Sequence, residues 1–116
     1  MYMIMFISKD VDQASDMLDV WVKAGVTGVT ILESAGLSQF ADGIREDVGI
    51  VFSLRSLLRA QEIHHRTLFS VIKDDATLNG VIAASTKHVG EWSRPDVGVL
   101  FVTPVLQAFG LEKNFK

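Results

Sequence analysis

The stretch that decides the fold is an apolar run at the start of the sequence, Met1-Tyr2-Met3-Ile4-Met5-Phe6-Ile7. Ser8, Lys9 and Asp10 end this run at once. Seven apolar residues are far fewer than the ~20 residues of a membrane span, and they are typical of a strand buried on both faces. Such a strand needs cover on each side, so the following segments have to supply it.

A helix follows the first run. Asp10 suits its N-cap, and Gln13 stands three residues later as the second member of a capping-box-like pair. Apolar residues recur at helical spacing on one face, while acidic residues occupy the other. Gly25 suits the left-handed residue after a helix end. The pattern predicts a helix over residues 10–24 with Trp21 in the core.

Three further strands are predicted. β-Branched residues indicate a strand over 26–33, in which Gly28 suggests a bulge or a close approach to the backbone. The apolar runs at 67–72 and 97–102 predict the other two strands. Residues 105–111 suit either a short fifth strand or an arm that lies on a neighbouring molecule.

A second long helix lies between the last two strands. Asp74 or Asp75 can cap its start, and Gly90 is placed to end it. Gly80 costs a helix about 1 kcal/mol relative to alanine, which suggests a tight contact at that position.

The order of elements predicts one α+β domain over residues 1–116, a ferredoxin-like βαββαβ sandwich. Its sheet is antiparallel, with the two long helices on one face. Because the first strand is apolar at every position, the other face also needs cover. Another copy of the chain or residues 48–58 must supply it, and oligomerisation is the expectation.

Composition excludes several functions. Eleven Lys and Arg against 14 Asp and Glu give a net charge of −3, which leaves no basic excess for a general nucleic-acid binder. Without cysteine there is no disulfide, thiolate catalysis or cysteine-bound metal. The first apolar run lacks the basic residues and cleavage site of a signal peptide. We expect a cytoplasmic protein with neither a membrane span nor nucleic acid as a partner.

Three short stretches carry a family resemblance. The first predicted helix ends in Gly25-Val26-Thr27-Gly28-Val29-Thr30, the second begins with Lys73-Asp74-Asp75, and the last strand contains Val99-Leu100-Phe101-Val102. These stretches resemble Gly-Ile-Thr-Gly-Met-Thr, Pro-Asp-Asp and Ile-Phe-Val-Phe of the PII nitrogen-regulatory family. The resemblance covers roughly residues 1–39 and 66–111, and its motifs are largely structural.

The resemblance implies a signalling role. PII-like proteins are trimers of ferredoxin-like subunits that bind effectors, commonly adenine nucleotides, in clefts between subunits. A loop after the second strand, the T-loop, contacts their target proteins. We therefore expect a homotrimer that senses a small-molecule effector, with no fixed cofactor, and acts on a target protein through a T-loop-like excursion at about 35–65. The implied ligand-binding residues are Gly28, Val29, Thr30, Gly36, Phe69, Val71, Trp92 and Arg94.

Departures from the family pattern weaken the nucleotide expectation. Where the family grips phosphate with a glycine-rich turn and a lysine, this chain has Gly90-Glu91-Trp92-Ser93-Arg94-Pro95-Asp96. One glycine, acidic residues and a proline make a poor cradle for phosphate. Ser38-Gln39 replaces a family Gly-Arg, while Phe109 and Leu111 replace arginines of its last strand. We expect that standard ATP binding has been lost.

Two side-chain groups have alternative interpretations. Arg55, Arg59 and Arg66 could form an anion or partner surface, or a solvated face with salt bridges to Glu62, Glu46 or Asp47. Trp92 could stack on a base, or it could cap the edge of the core.

Neither a metal site nor an active site is predicted. His64 and His65 are neighbours, so on a strand they point to opposite faces, and His88 lies far along the chain. The sequence has no Gly-x-Ser-x-Gly, phosphate loop or His-Glu-x-x-His motif, so we do not expect an enzyme. Two alternatives stay open: a CutA-like trimer for divalent-metal tolerance, and a ligand-free structural subunit.

Overall fold

The computed structural model describes residues 1–34 and 65–112, which form four strands and two helices. In chain order these are β1 (Tyr2–Ile7), α1 (Val11–Lys23), β2 (Thr30–Ser34), β3 (His65–Ile72), α2 (Asp75–Val89) and β4 (Val99–Pro104). The strands make one antiparallel sheet in the order β2-β3-β1-β4. This arrangement confirms the predicted α+β, ferredoxin-like fold.

The core lies between the sheet and the two helices. Along β1, Ile4 and Phe6 are fully buried, whereas the alternating residues are only half-buried. The buried side of the sheet meets the apolar sides of both helices in one cluster, which contains Ile4, Phe6, Met17, Trp21, Leu68, Ile72, Leu78 and Val81. Both helices therefore lie on one face, as the sequence predicts.

Local capping chemistry sets the limits of α1. The Asp10 carboxylate accepts the Gln13 N–H at 2.8 Å. The Gln13 side chain accepts the N–H of Lys9 at 2.6 Å, one residue before the usual capping-box partner. Gly25, just beyond the helix, has a φ of +105°, which a residue with a side chain rarely adopts.

The same chemistry sets the limits of α2. Asp74 accepts both the N–H and the hydroxyl of Thr77 at 2.8 Å. Gly90 ends the helix with a φ of +86°. The tight contact expected at Gly80 is wrong, because a methyl group built there would meet no atom within 4 Å.

The structure corrects the bounds of three strands. β3 begins at His65 rather than at residue 67. β2 begins at Thr30 rather than at residue 26, because the N–H of Val26 still bonds to the Trp21 carbonyl at 3.0 Å, and its side chain fills the core. β4 runs from Val99 to Pro104, since its register follows β1 from Ile7 to Tyr2. Residues 105–112 form no strand within the described chain.

Candidate functional site

The face of the sheet opposite the helices is apolar, and no helix of residues 1–34 and 65–112 covers it. We call it the open face. Strand register brings Phe69 and Phe101 to either side of Met5 there. By alternation, its side chains are those of Met3, Met5, Ile7, Thr30, Leu32, Ser34, His65, Thr67, Phe69, Val71, Val99, Phe101 and Thr103. Leu32 is 51% exposed and Phe101 47% exposed, whereas His65 and Thr67 of β3 are buried, so the room for a partner lies at the edge strands.

Several predicted ligand residues come together near the β2 edge of this face. The Ser70 hydroxyl donates to the carbonyl of Gly28 and so fastens the segment before β2 to β3. Thr30 pairs with Phe69 in the antiparallel register, and Val71 follows on the same side of β3. Gly28 itself makes no close approach, since a methyl group there would meet nothing within 4 Å.

Trp92 lies elsewhere, at the β4 side of the core. Its ring packs edge-on against Phe6, with 6.4 Å between ring centroids and 63° between planes. Its indole N–H donates to the Thr86 hydroxyl oxygen at 3.1 Å. This geometry is that of a core-edge residue, one of the two interpretations the sequence left open.

Arg94 is engaged by its own loop. Its guanidinium donates to the Val89 carbonyl at 3.1 Å, and its Nε lies 3.7 Å from a carboxylate oxygen of Asp96. The Asp96 carbonyl in turn accepts a hydrogen bond from the Gln13 side chain at 3.0 Å. The loop is thus tied to both helices, and the Arg94 charge has a counter-ion.

One chain does not unite the two groups of predicted residues. Gly28 stands beside the β2 edge near Val71, whereas Trp92 stands beside β4 near Phe6. In this sheet order the two edges are three strand spacings apart, about 14 Å. A single ligand could touch both groups only if two copies contributed one group each.

The arginine cluster is described in part. Arg66 lies 3.6 Å from the Glu33 carboxylate, its partner in the β2–β3 register. Glu33 was not among the partners that the sequence suggested. Gly36, Arg55 and Arg59 fall outside the described residues, as do most of the T-loop-like excursion and the suggested partners Glu46, Asp47 and Glu62.

Two histidines are described. His65 is buried at the start of β3, and His88 is exposed near the end of α2. Over residues 1–34 and 65–112, no group of three His, Cys, Asp or Glu side chains could hold a metal ion.

Two clefts lie beside predicted ligand residues, Trp92 in the first and Val71 in the second, although the sequence analysis did not identify the rest of their linings. The first has a volume of about 250 Å³, and we call it the Trp92 cleft. It is lined by Ile82, Thr86, Trp92, Gly98, Val99 and Leu100. The second, of about 350 Å³, lies between residues 25–27 and the β3–α2 junction at Lys73 and Asp74. Each joins segments distant in sequence, so local patterns held no signal for either.

Charged groups near the second cleft shift two pKa values. The Lys73 ammonium pairs with Glu112 and holds the pKa of that carboxyl below its ordinary value. A hydrogen bond to the Asp75 carboxylate, together with its charge, raises the pKa of the Tyr2 hydroxyl. The end of the sheet near Tyr2 is therefore bound to α2 and to the chain after β4 by polar contacts.

No protein-family model matches the chain, and no curated protein matches it. Neither helix in the described part of the chain is long and apolar enough to cross a membrane.

Proposed function

We propose that this chain is the subunit of a PII-like homotrimer that senses a small-molecule effector in clefts between subunits. Effector binding would change the conformation of residues 35–65 and so alter the surface offered to a target protein, an order–disorder switch. The observation that carries the proposal is the open face. It exposes large apolar side chains, Leu32 and Phe101 among them, on the two edge strands of the sheet.

The open face supports assembly through a simple free-energy argument. Apolar surface gains about 25 cal/mol for each Å² removed from water. Contiguous apolar patches of this kind on soluble domains mark interaction sites. A second copy brings an equally apolar face, so sheet-to-sheet contact covers both.

The predicted effector residues suit a site at such a seam. Thr30, Phe69 and Val71 lie on or beside the open face near the β2 edge, where a neighbouring subunit would meet them. Trp92 and Arg94 lie at the opposite edge, so one subunit would supply the first group and its neighbour the second. Because Arg94 is already paired with Asp96, tight binding of a triphosphate is not expected.

Light scattering and thermal shift test the proposal together. We expect the mass of a trimer, and a raised melting temperature with one member of a panel of ATP, ADP, AMP, cyclic nucleotides, bicarbonate and divalent metals, because a ligand of the folded state stabilises it. Gly28→Val should abolish that shift while the fold survives, since a side chain there has open space. Gly80→Ala is the matched control.

Each alternative has its own outcome in this experiment. Stabilisation only by copper or zinc would favour the CutA-like alternative, and a trimer that responds to nothing would favour a structural subunit. A stable monomer would contradict the proposal itself.

A further inference from the structure

The chain after β4 carries apolar side chains that are exposed to solvent. We call residues 105–112 the arm. Leu106 is 93% exposed and Phe109 is 89% exposed, the highest values among the large apolar residues described. Both ends of the arm are fastened: the N–H of Val105 donates to the Met1 carbonyl at 3.0 Å, and Glu112 pairs with Lys73. The arm is thus attached at the Tyr2 end of the sheet, with its apolar side chains in water.

The Trp92 cleft offers matching space. Its lining is largely apolar, and its volume is about 250 Å³. An apolar cavity of about 150 Å³ is sufficient to hold benzene, so the cleft has room for a phenyl ring. Trp92 on its wall could meet that ring edge-on, a geometry that aromatic pairs favour.

The cleft and the arm of the same chain lie at opposite ends of β4. The cleft begins at Gly98 and Val99, whereas the arm starts after Pro104, six strand residues or about 20 Å away. Because Val105 and Glu112 hold the arm at its own end, Phe109 does not reach the cleft of its own chain. A cleft that Phe109 enters therefore belongs to another molecule, and a second copy of the chain offers one.

We infer that Phe109 of one copy inserts into the Trp92 cleft of the next copy. The contact is heterologous, since knob and hole are different surfaces, and repeated contacts of this kind form a ring when the rotation between copies closes. The inference rests on the assembly part of the proposed function and needs no effector.

The area involved favours a second copy over an unrelated partner. An aromatic side chain buries about 150–250 Å², so Leu106 and Phe109 with the surface they cover account for roughly 600 Å². A specific interface needs about 1,000 Å². The arm falls short alone, and the open face supplies the remainder when both surfaces meet the same neighbour.

Cysteine cross-linking tests the inference directly, because the chain has no cysteine of its own. We would mix Ile82→Cys protein, labelled on the α2 wall of the cleft, with Gln107→Cys protein, labelled on the arm, and add a short bismaleimide. We expect a cross-linked heterodimer. Pairing Gln107→Cys with Val22→Cys, an exposed position on α1, should give none.

Phe109→Ser in the Gln107→Cys protein supplies the decisive comparison. Loss of a central aromatic anchor should weaken the contact at least about tenfold, and the cross-linked fraction should fall accordingly. Phe109 is so exposed that its replacement leaves the fold intact. Cross-linking that is absent, or unchanged by Phe109→Ser, in a protein that still has the mass of a trimer would overturn the inference and leave the proposed function standing. A monomeric protein would overturn both.

Discussion

Gly98 occupies a position where no side chain fits. A methyl group there would overlap the Ile7 carbonyl oxygen and come within 2.6 and 2.7 Å of ring carbons of Phe6. Both neighbours belong to the central strand, and Phe6 is fully buried. We expect Gly98→Ala to lower the free energy of unfolding by about 1–3 kcal/mol through overpacking, as measured by urea denaturation.

Gly80→Ala is the matched control for that prediction. Gly80 lies inside α2 with open space around it, so alanine should raise the free energy of unfolding by about 0.5–1 kcal/mol. Equal effects of the two substitutions would mean that the crowding at Gly98 has been misjudged.

Trp21 and Ser85 form a polar contact inside the core. The indole N–H of Trp21 donates to the Ser85 hydroxyl at 3.1 Å, and that hydroxyl donates to the Val81 carbonyl at 2.7 Å. Ser85→Ala leaves a buried donor without a partner, so we expect a loss of about 1–3 kcal/mol in the free energy of unfolding.

A double-mutant cycle checks this prediction about Ser85. In a Trp21→Phe background, Ser85→Ala should cost less, because the donor is already gone. Ser15→Ala on the exposed side of α1 should change stability by no more than about 0.5 kcal/mol. An undiminished cost of Ser85→Ala in the Trp21→Phe background would show that the two residues are not coupled.

At the scale of single residues, the sequence predicts the roles that depend on residues nearby in the chain. Asp10, Gly25, Asp74 and Gly90 act within a few residues of themselves, and all four have the predicted roles. Ser85 and Gly98 act on partners 64 and some 90 residues away. Their roles follow from how the elements pack, which a local pattern does not contain.

At the scale of elements, the start of α2 depends on an ionised cap. The hydrogen bonds from Thr77 lower the pKa of Asp74 below its ordinary value. A carboxyl with a lowered folded-state pKa stabilises the fold above its unfolded-state pKa, and that contribution is lost as the pH falls through the folded-state pKa.

The cap gives a pH-dependent prediction. Asp74→Ala should lower the melting temperature at pH 7, and the difference from the parent protein should shrink in acid. Asp16→Ala is the control, since Asp16 lies in the exposed middle of α1. The difference in melting temperature between this variant and the parent protein should not shrink in acid in the same way. Thermal melts from pH 7 down to pH 3 measure both, and a difference that stays constant with pH would contradict the role of the charge.

Strand β1 and helix α2 are joined by Tyr2 and Asp75. The hydroxyl donates to the carboxylate while it is protonated, and the carboxylate charge opposes the phenolate, so the pKa of Tyr2 is raised. This contact stabilises the fold below the unfolded-state pKa of about 10 and is lost as the pH rises through the folded-state value.

The Tyr2 shift can be measured without interference, because the chain has no other tyrosine. Ultraviolet titration of the phenolate should give a pKa above that of the unfolded chain, and Asp75→Asn should lower it toward that value. Asp12→Asn on α1 should leave the titration unchanged. The same pKa in the Asp75→Asn protein as in the parent would contradict the assigned cause.

Element order was predictable, whereas some strand bounds were not. Apolar runs and glycine stops fixed the sequence of strands and helices. Residues 26–29 carry the β-branched pattern of a strand, yet Val26 closes the end of α1 and fills the core. Tertiary packing overrides strand propensity there.

At the scale of the whole molecule, the proposed assembly can be tested by one substitution that places a charged side chain on the open face. Phe101 lies beside Met5 on that face, half-way along the edge strand β4. Phe101→Glu would bury a carboxylate against apolar side chains, a cost that assembly does not tolerate. We expect a trimer for the parent protein and a monomer for the variant, by light scattering.

Val22→Glu is the control for the open face, since Val22 is 58% exposed on α1. It should keep the mass of the parent protein. A Phe101→Glu protein that remains a trimer would show that copies meet through another surface.

The candidate site was less predictable than the fold for a reason of geometry. The sequence indicated Gly28 to Thr30, Phe69 and Val71 as one group and Trp92 with Arg94 as another, through family resemblance. Sequence order cannot show that these groups stand at opposite edges of one sheet. In the proposed assembly a second copy brings the two groups together, and local spacing along the sequence does not encode such a contact.

The position of β1 in the middle of the sheet has a consequence for synthesis. β1 is synthesised before the two strands with which it pairs, β3 and β4. Its residue Tyr2 pairs with Pro104, at the end of β4. Contacts so distant in sequence form late. Until β3 and β4 have been synthesised, the apolar residues of β1 lack both of the strands with which they pair in the described sheet, so this segment is exposed longest to aggregation.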